Sequence, residues 1–155
     1  MSIALNLTRV QSLMQDLGPS VPEIDILLQE DDSHWLLQSQ DGLQIEIAHC
    51  ENPSRLLLSA AIGSPETEQI GDMYITMLCT NLLFAEQHAL RVALTHPGGD
   101  FLLISELVLD DYSLGSLSKM LTEYMQQARY FCELISSSDQ LEKNDLPLLQ
   151  VAGRV

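Results

Sequence analysis

From Ile70 to Phe84 the chain reads IGDMYITMLCTNLLF, a stretch whose only charged side chain is Asp72. Wound as a helix opening near Pro65, it places Ile70, Met73, Tyr74, Met77 and Asn81 on one side and Ile75, Leu78, Cys79 and Leu82 on others. Glu66 and Glu68 stand where the positive end of the helix dipole favours them. A helix that is apolar nearly all round has to be covered on more than one side. A sheet can cover one side, and in so small a domain a second subunit is the natural cover for the other. The charge-free run Met73 to Phe84 is too short to span a bilayer and carries Thr76, Thr80 and Asn81.

The 155 residues fit one domain, read as 1–135, with a polar tail over 136–155 that is free to be flexible. With 46% hydrophobic and 19% charged residues, general disorder is excluded. The 22 Asp and Glu against 7 Lys and Arg give a formal net charge of -15. Such a chain repels nucleic-acid phosphates and anionic lipid surfaces, whereas a basic or apolar segment of another protein is attracted. Cys50, Cys79 and Cys132 are odd in number, far apart and set in apolar runs, as expected of reduced thiols in a cytosolic protein. The opening MSIALNLTRV shows no signal-peptide pattern.

Around the charge-poor helix the pattern alternates between periods. Leu7, Val10, Leu13, Met14 and Leu17 recur at helical spacing, with Gly18-Pro19 as the expected stop. Short strands follow at Ile24–Leu28 and Trp35–Gln38, separated by the acidic turn Glu30-Asp31-Asp32. Gln40-Asp41-Gly42 supplies hairpin chemistry before the alternating strand Leu43–Ile47, and Arg55–Ile62 can add a further strand. After the long helix come a strand at Leu90–Leu94, the turn His96–Asp100, a strand at Phe101–Leu109 and a last helix at Ser113–Ile135. The reading is an α+β fold of order α-β-β-β(-β)-α-β-β-α, three helices with a twisted antiparallel sheet.

Chemistry is hard to find. Ser116-Leu117-Ser118-Lys119 fits S-x-x-K, but the companion motifs S-D-N and K-T-G are absent, and Ser116 reads as a first-turn helix residue. His34, His49, His88 and His96 show no metal-ligand spacing, and His49 and Cys50, adjacent on a strand, point to opposite faces. Neither Glu30-Asp31-Asp32 nor Asp110-Asp111 lies in a calcium-loop pattern, and Gly98-Gly99 carries no phosphate-binding fingerprint. No catalytic residue, metal or cofactor is therefore assigned. Trp35 reads as a core residue or as an exposed anchor of a binding patch.

Over roughly Leu5 to Ile135 the chain resembles the class I type III secretion chaperones of the Tir-chaperone family. The resemblance lies in the opening amphipathic helix, the β-meander, the charge-poor helix ending Asn81-Leu82-Leu83-Phe84, the pair RVALTHPGGDFLLISELVL and the helix after Asp110-Asp111-Tyr112. It departs in a longer polar tail and in lacking a Gly-rich stretch after the charge-poor helix. The family implies a virulence-associated protein of the bacterial cytoplasm, a homodimer paired through its second helix and the adjacent strand. On this chain the implied interface candidates are Ile70, Met73, Tyr74, Met77, Leu78 and Leu82. It further implies an extended segment of a secreted effector, held by strand addition and by apolar patches and so kept soluble and fit for secretion. Candidates for those patches are Leu7, Val10, Leu13, Ile24, Ile26, Trp35 and Leu37, with Glu23, Asp25, Glu30, Asp31 and Asp32 as an acidic rim. The alternatives are an interaction module of the same fold acting on a transcription factor or secretion component, and an enzyme or small-ligand carrier without a visible site.

Overall fold

Strict alternation along three consecutive strands sets the architecture. Trp35, Leu37 and Ser39 are buried on one strand, Ile45, Ile47 and His49 on the next, and Leu56, Leu58, Ala60 and Ile62 on the third. Side chains two apart share a face, so each strand offers one apolar face to a core. The computed structural model, which describes residues 7–87, 90–108 and 113–137, puts these faces in register: Trp35 pairs with Ile47 and Ile47 with Leu58.

The elements are α1 (Leu7–Ser20), β1 (Ile24–Asp31), β2 (His34–Ser39), β3 (Gln44–Cys50), β4 (Arg55–Gly63), α2 (Ile70–Gln87), β5 (Leu90–Leu94), β6 (Phe101–Val108) and α3 (Leu114–Ser136). This is the α+β order expected, with the optional fourth strand present. The six strands form one sheet in the order β1-β2-β3-β4-β6-β5, and β1 to β4 are a simple antiparallel meander. Arg55, at the start of β4, pairs with Glu106, near the end of β6, at 3.0 Å, as antiparallel neighbours do. Thr95 N–H donates to the Asp100 carbonyl at 3.0 Å and closes the β5–β6 turn. Gly42 (φ 90°) in the β2–β3 turn and Gly63 (φ 105°) at the end of β4 sit in backbone conformations that favour glycine.

The chain divides into two compact units. Of the described residues, one holds 7–60 together with those of 105–127, and the other holds those of 61–104 with 128–137. In the first, α1 buries Val10, Met14 and Leu17, and its Gly18 lies beside Leu27 of β1. Ser20 Oγ meets Ser118 Oγ of α3 at 3.2 Å, and Leu117, Leu121, Tyr124 and Met125 complete that core. In the second, Phe131 and Ile135 of α3 are buried, as are Met73 and Met77 of α2 and Leu103 of β6. Phe131 stands edge-on to Phe84 at 5.9 Å.

Three local outcomes differ from the sequence expectation. Helix α1 runs through Gly18 and Pro19 to Ser20, because the Leu17 carbonyl accepts both the Ser20 hydroxyl (2.9 Å) and the Val21 N–H (3.2 Å), closing the last turn without a proline donor. Strand β1 continues through Glu30 to Asp31, so the acidic residues end a strand rather than form a turn. Asp31 Oδ1 accepts the Ser33 N–H at 2.8 Å, and that side-chain turn shortens the connection to Asp32-Ser33. Before α2 a short 3-10 turn, Thr67–Gln69, intervenes. The tail from 138 on, Asp110-Asp111, Tyr112 and His88 lie outside the described residues.

Candidate partner-binding surfaces

On α2 the helical period sorts a uniformly apolar sequence into two faces. Met73, Thr76, Met77 and Thr80 turn inward, and the two threonine hydroxyls are satisfied by carbonyls one turn back, Asp72 O and Thr76 O, both at 2.9 Å. Tyr74, half-buried, stands edge-on to Phe101 at 5.6 Å. The opposite stripe is open: Ile75, Leu78 and Leu82, spaced as neighbours on one helix face, are 59%, 69% and 55% exposed. Apolar residues aligned in this way, with none of the described residues over them, mark an interaction surface rather than scattered surface chance.

Asn81 fixes the rotation of that helix. Its amide nitrogen donates to the Val92 carbonyl at 2.9 Å, and its amide oxygen accepts the Val92 N–H at 2.7 Å. A side-chain amide thus stands in for a neighbouring strand at Val92 of β5, the last strand in the sheet order. That edge is closed at Val92.

The other end of the sheet is different. Strand β1 pairs only with β2, and among the described residues nothing pairs with its far side. Its register breaks twice, between Ile24 and Ile26 and between Gln29 and Asp31. Each break inserts one unopposed residue, Asp25 and Glu30, and so reverses which face follows. Ile24 is opposite buried Ser39, but Ile26 is opposite Gln38 and Leu28 opposite Leu36, on the face away from the core. Ile26 is 41% and Leu28 56% exposed. Farther into the sheet that outer face turns polar: Leu36 is followed across the ladder by Glu46 and Ser59, and Gln38 by Gln44.

Asp25, Glu30, Asp31 and Asp32 beside this strand are exposed, and Asp31 Oδ1 also lies 2.8 Å from His34 Nδ1. The Ser33 backbone N–H first, and His34 second, hold its carboxyl below the ordinary Asp range. Gln11 of α1 donates to the Asp32 carbonyl at 3.0 Å and ties the hairpin tip to α1.

The residues nominated by sequence fall into three groups. Val10, Trp35, Leu37, Met73 and Met77 are core residues of this chain, the first three at 0%, 3% and 0% exposure, and a partner could reach none of them without opening the fold. Leu7, Leu13, Ile24, Ile70 and Tyr74 are half-buried, whereas Ile26, Leu78 and Leu82 are exposed. Ile75 and Leu28 were not nominated. The i, i+3, i+7 spacing of Ile75, Leu78 and Leu82 could have found Ile75, but no sequence signal marks the bulges that expose Leu28.

Nothing among the described residues assembles a reaction centre. Ser116 sits exposed in the first turn of α3, where Ser113 Oγ caps its N–H at 3.2 Å, and Lys119 faces Glu123 at 4.0 Å. His49 Nε2 meets Ser54 Oγ at 2.9 Å, and His96 Nδ1 meets Thr95 Oγ1 at 3.1 Å. The three cysteines are half-buried, and no disulfide joins them to one another. Among the described residues no helix is long and apolar enough to cross a membrane.

The sequence profile of the Tir chaperone protein (CesT) family matches residues 23–131, more than half of the chain. Among solved structures, a chain of the HopA1-SchA chaperone-effector complex is similar with a TM-score of 0.63 at 16% identity, over 82% of this chain and 95% of that one. A chain of the ExsC-ExsE complex is similar with a TM-score of 0.66 at 15% identity, over 87% and 97%. An uncharacterized protein from Methanothermobacter thermautotrophicus gives 0.53 at 13% identity, over 79% and 96%. At these identities the likeness is one of fold. No curated protein matches the chain in sequence.

Proposed function

The chain belongs to the Tir chaperone protein (CesT) family, and on that footing we propose that it works in the bacterial cytoplasm as a homodimeric type III secretion chaperone that binds an extended segment of a secreted effector. It acts by holding, not by catalysing. One observation carries the reading: among the described residues each unit of the fold leaves an apolar surface uncovered, the α2 stripe in one and the outer edge of β1 in the other.

The two surfaces suit the two tasks. Ile75, Leu78 and Leu82, with Leu78 and Leu82 among the residues the family resemblance nominates, give α2 a face that a second copy can cover. Strand β1 offers backbone groups to which an extended segment can add as a further strand, an interaction that tolerates many sequences and leaves selection to side chains. Kept as an added strand, the effector segment stays locally unfolded and cannot pair with other unfolded chains. The half-buried Leu7, Leu13 and Ile24 line the α1–β1 side and remain candidates for secondary contacts. The high negative charge keeps such a loaded complex dispersed.

The test is to purify the chain from its source cell, identify any stoichiometric protein, and titrate that protein's N-terminal region against the purified chain with light scattering for mass. The reading expects a secreted protein bound to two copies of this chain, and its solubility falling when the chain is removed. A retained small molecule, or a secretome whose solubility is indifferent to this chain, overturns it.

A further inference from the structure

Strand β1 is an open sheet edge with two outward apolar side chains, the kind of surface that normally recruits a second copy of itself. Its sequence decides against that occupant. Between Glu23 and Asp32 it carries five carboxylates and no Lys or Arg. The regular part of the ladder is the short run Ile26–Gln29, and the bulged residues at its two ends are Asp25 and Glu30. If two β1 strands met antiparallel about the centre of that run, Leu27 would face Leu28, and Asp25 of each copy would face Glu30 of the other. Both ends would then oppose like charges, which destabilises cross-strand pairing. Among the described residues neither Asp25 nor Glu30 belongs to an ion pair.

We infer that the free edge of β1 is built to accept an extended segment carrying two basic residues five positions apart, with apolar residues at alternate positions between them. This deepens the chaperone reading and rests on it, since it describes the segment that such a chaperone would hold. Opposite Glu30, Gln29, Leu28, Leu27, Ile26 and Asp25, an antiparallel partner strand would read basic, any, apolar, any, apolar, basic. The two apolar side chains lie beside Leu28 and Ile26 on the outer face, where Leu36 extends the patch one strand inward. The basic residues meet the carboxylates that refuse a second copy. The same two charges thus reject one partner and select the other.

The probe is a blocked peptide, Arg-Thr-Val-Thr-Val-Arg between Gly-Ser flanks, titrated to millimolar concentration and followed by the backbone amide resonances of the full chain. Its counterpart replaces both Arg by Glu. At low salt the basic peptide should shift the amides of Ile26–Gln29 and bind about tenfold more tightly than the acidic one. The preference should shrink at high salt. The exposed double substitution Asp25→Lys with Glu30→Lys, checked for an unchanged dichroism spectrum, should invert the preference. Equal affinities, shifts confined to other elements, or no shift at β1 overturns the inference. An effector that binds wild type and the double variant equally, with β1 amides unprotected, also refutes it while leaving the chaperone function standing. If no secreted protein binds the chain at all, the function fails, and the peptide titration still decides the chemistry of the edge.

Discussion

Replacing Leu78 by Glu should dissociate the proposed α2-paired dimer while leaving the protomer folded. Leu78 is 69% exposed in the single chain, so a carboxylate there meets water and costs the monomer little. In a dimer paired through α2 it would be covered. Full burial of a leucine is worth about 1.5–3 kcal/mol, so the exposed part of Leu78 has about 1–2 kcal/mol still to contribute. A twofold axis counts the residue twice, giving about 2–4 kcal/mol per dimer, or roughly a 30- to 700-fold rise in Kd. Burying two unpaired carboxylates adds a further penalty, so this range is a lower bound. Sedimentation equilibrium of wild type and variant over nanomolar to high micromolar concentration reads the shift, with thermal melting to confirm the fold. Met77→Glu is the wrong variant for this purpose, because Met77 is 3% exposed and the substitution would unfold the protomer itself. A variant Kd within threefold of wild type, or a wild type monomeric throughout, would refute the role given to α2.

Trp35→Ala should lower unfolding free energy by about 3–5 kcal/mol in a denaturant titration, as removal of a buried aromatic does, rather than selectively speed release of a bound segment. Asn81→Ala removes both bonds to Val92 and should cost about 1–3 kcal/mol, with amide exchange at Val92 accelerated over its β5 neighbours; unchanged exchange would mean that the edge is closed by something else. The Asp31 carboxyl should titrate below the ordinary Asp range in a carbon-detected NMR titration. Because its native pKa is the lower one, its contribution to the β1–β2 hairpin is present above the unfolded-state pKa and disappears as pH falls through the native value.

The order of elements was legible because period-2 alternation and turn residues agreed. Ile45 and Ile47 after Asp41-Gly42, and Leu56 to Ile62, mark strands whose burial follows the written pattern. The faces of β1 were not legible. Read as plain alternation, Ile24, Ile26 and Leu28 share one face, but the bulge at Asp25 puts Ile24 on the core side and the other two on the outer side. A one-residue slip leaves no mark in composition. The charge-poor run asked for cover on more than one side of α2, of which the single chain supplies one, and it did not say which residues turn inward. That depends on Asn81 gripping the Val92 backbone, a tertiary bond between residues eleven apart. For Trp35 burial selects the core reading over the exposed anchor, and Leu37 goes with it: a small core needs every inward residue of β2, and none is left over for a groove.

Charge separates the two open surfaces more sharply than hydrophobicity does. Both present aliphatic side chains, and each could in principle recruit anything apolar. From Met73 to Phe84, α2 carries no charge at all, so two copies can meet there without opposing like charges, and nothing favours a partner of opposite sign. On β1 the aliphatic pair Ile26 and Leu28 is fenced by Asp25 and Glu30, both placed at register breaks where the strand cannot simply be extended. A protein with net charge -15 has carboxylates to spare, so their absence from one apolar surface and their placement at the ends of the other is a distinction that bulk composition does not impose. The proposed function therefore assigns self-recognition to the uncharged surface and recognition of a foreign segment to the fenced one. If Asp25→Asn with Glu30→Asn made the protein associate beyond a dimer, while Leu78→Glu still reduced it to smaller species, the two surfaces would be shown to act separately. Association of that double variant no stronger than wild type would mean that the bulges alone, without their charges, keep the edge of β1 from pairing with itself.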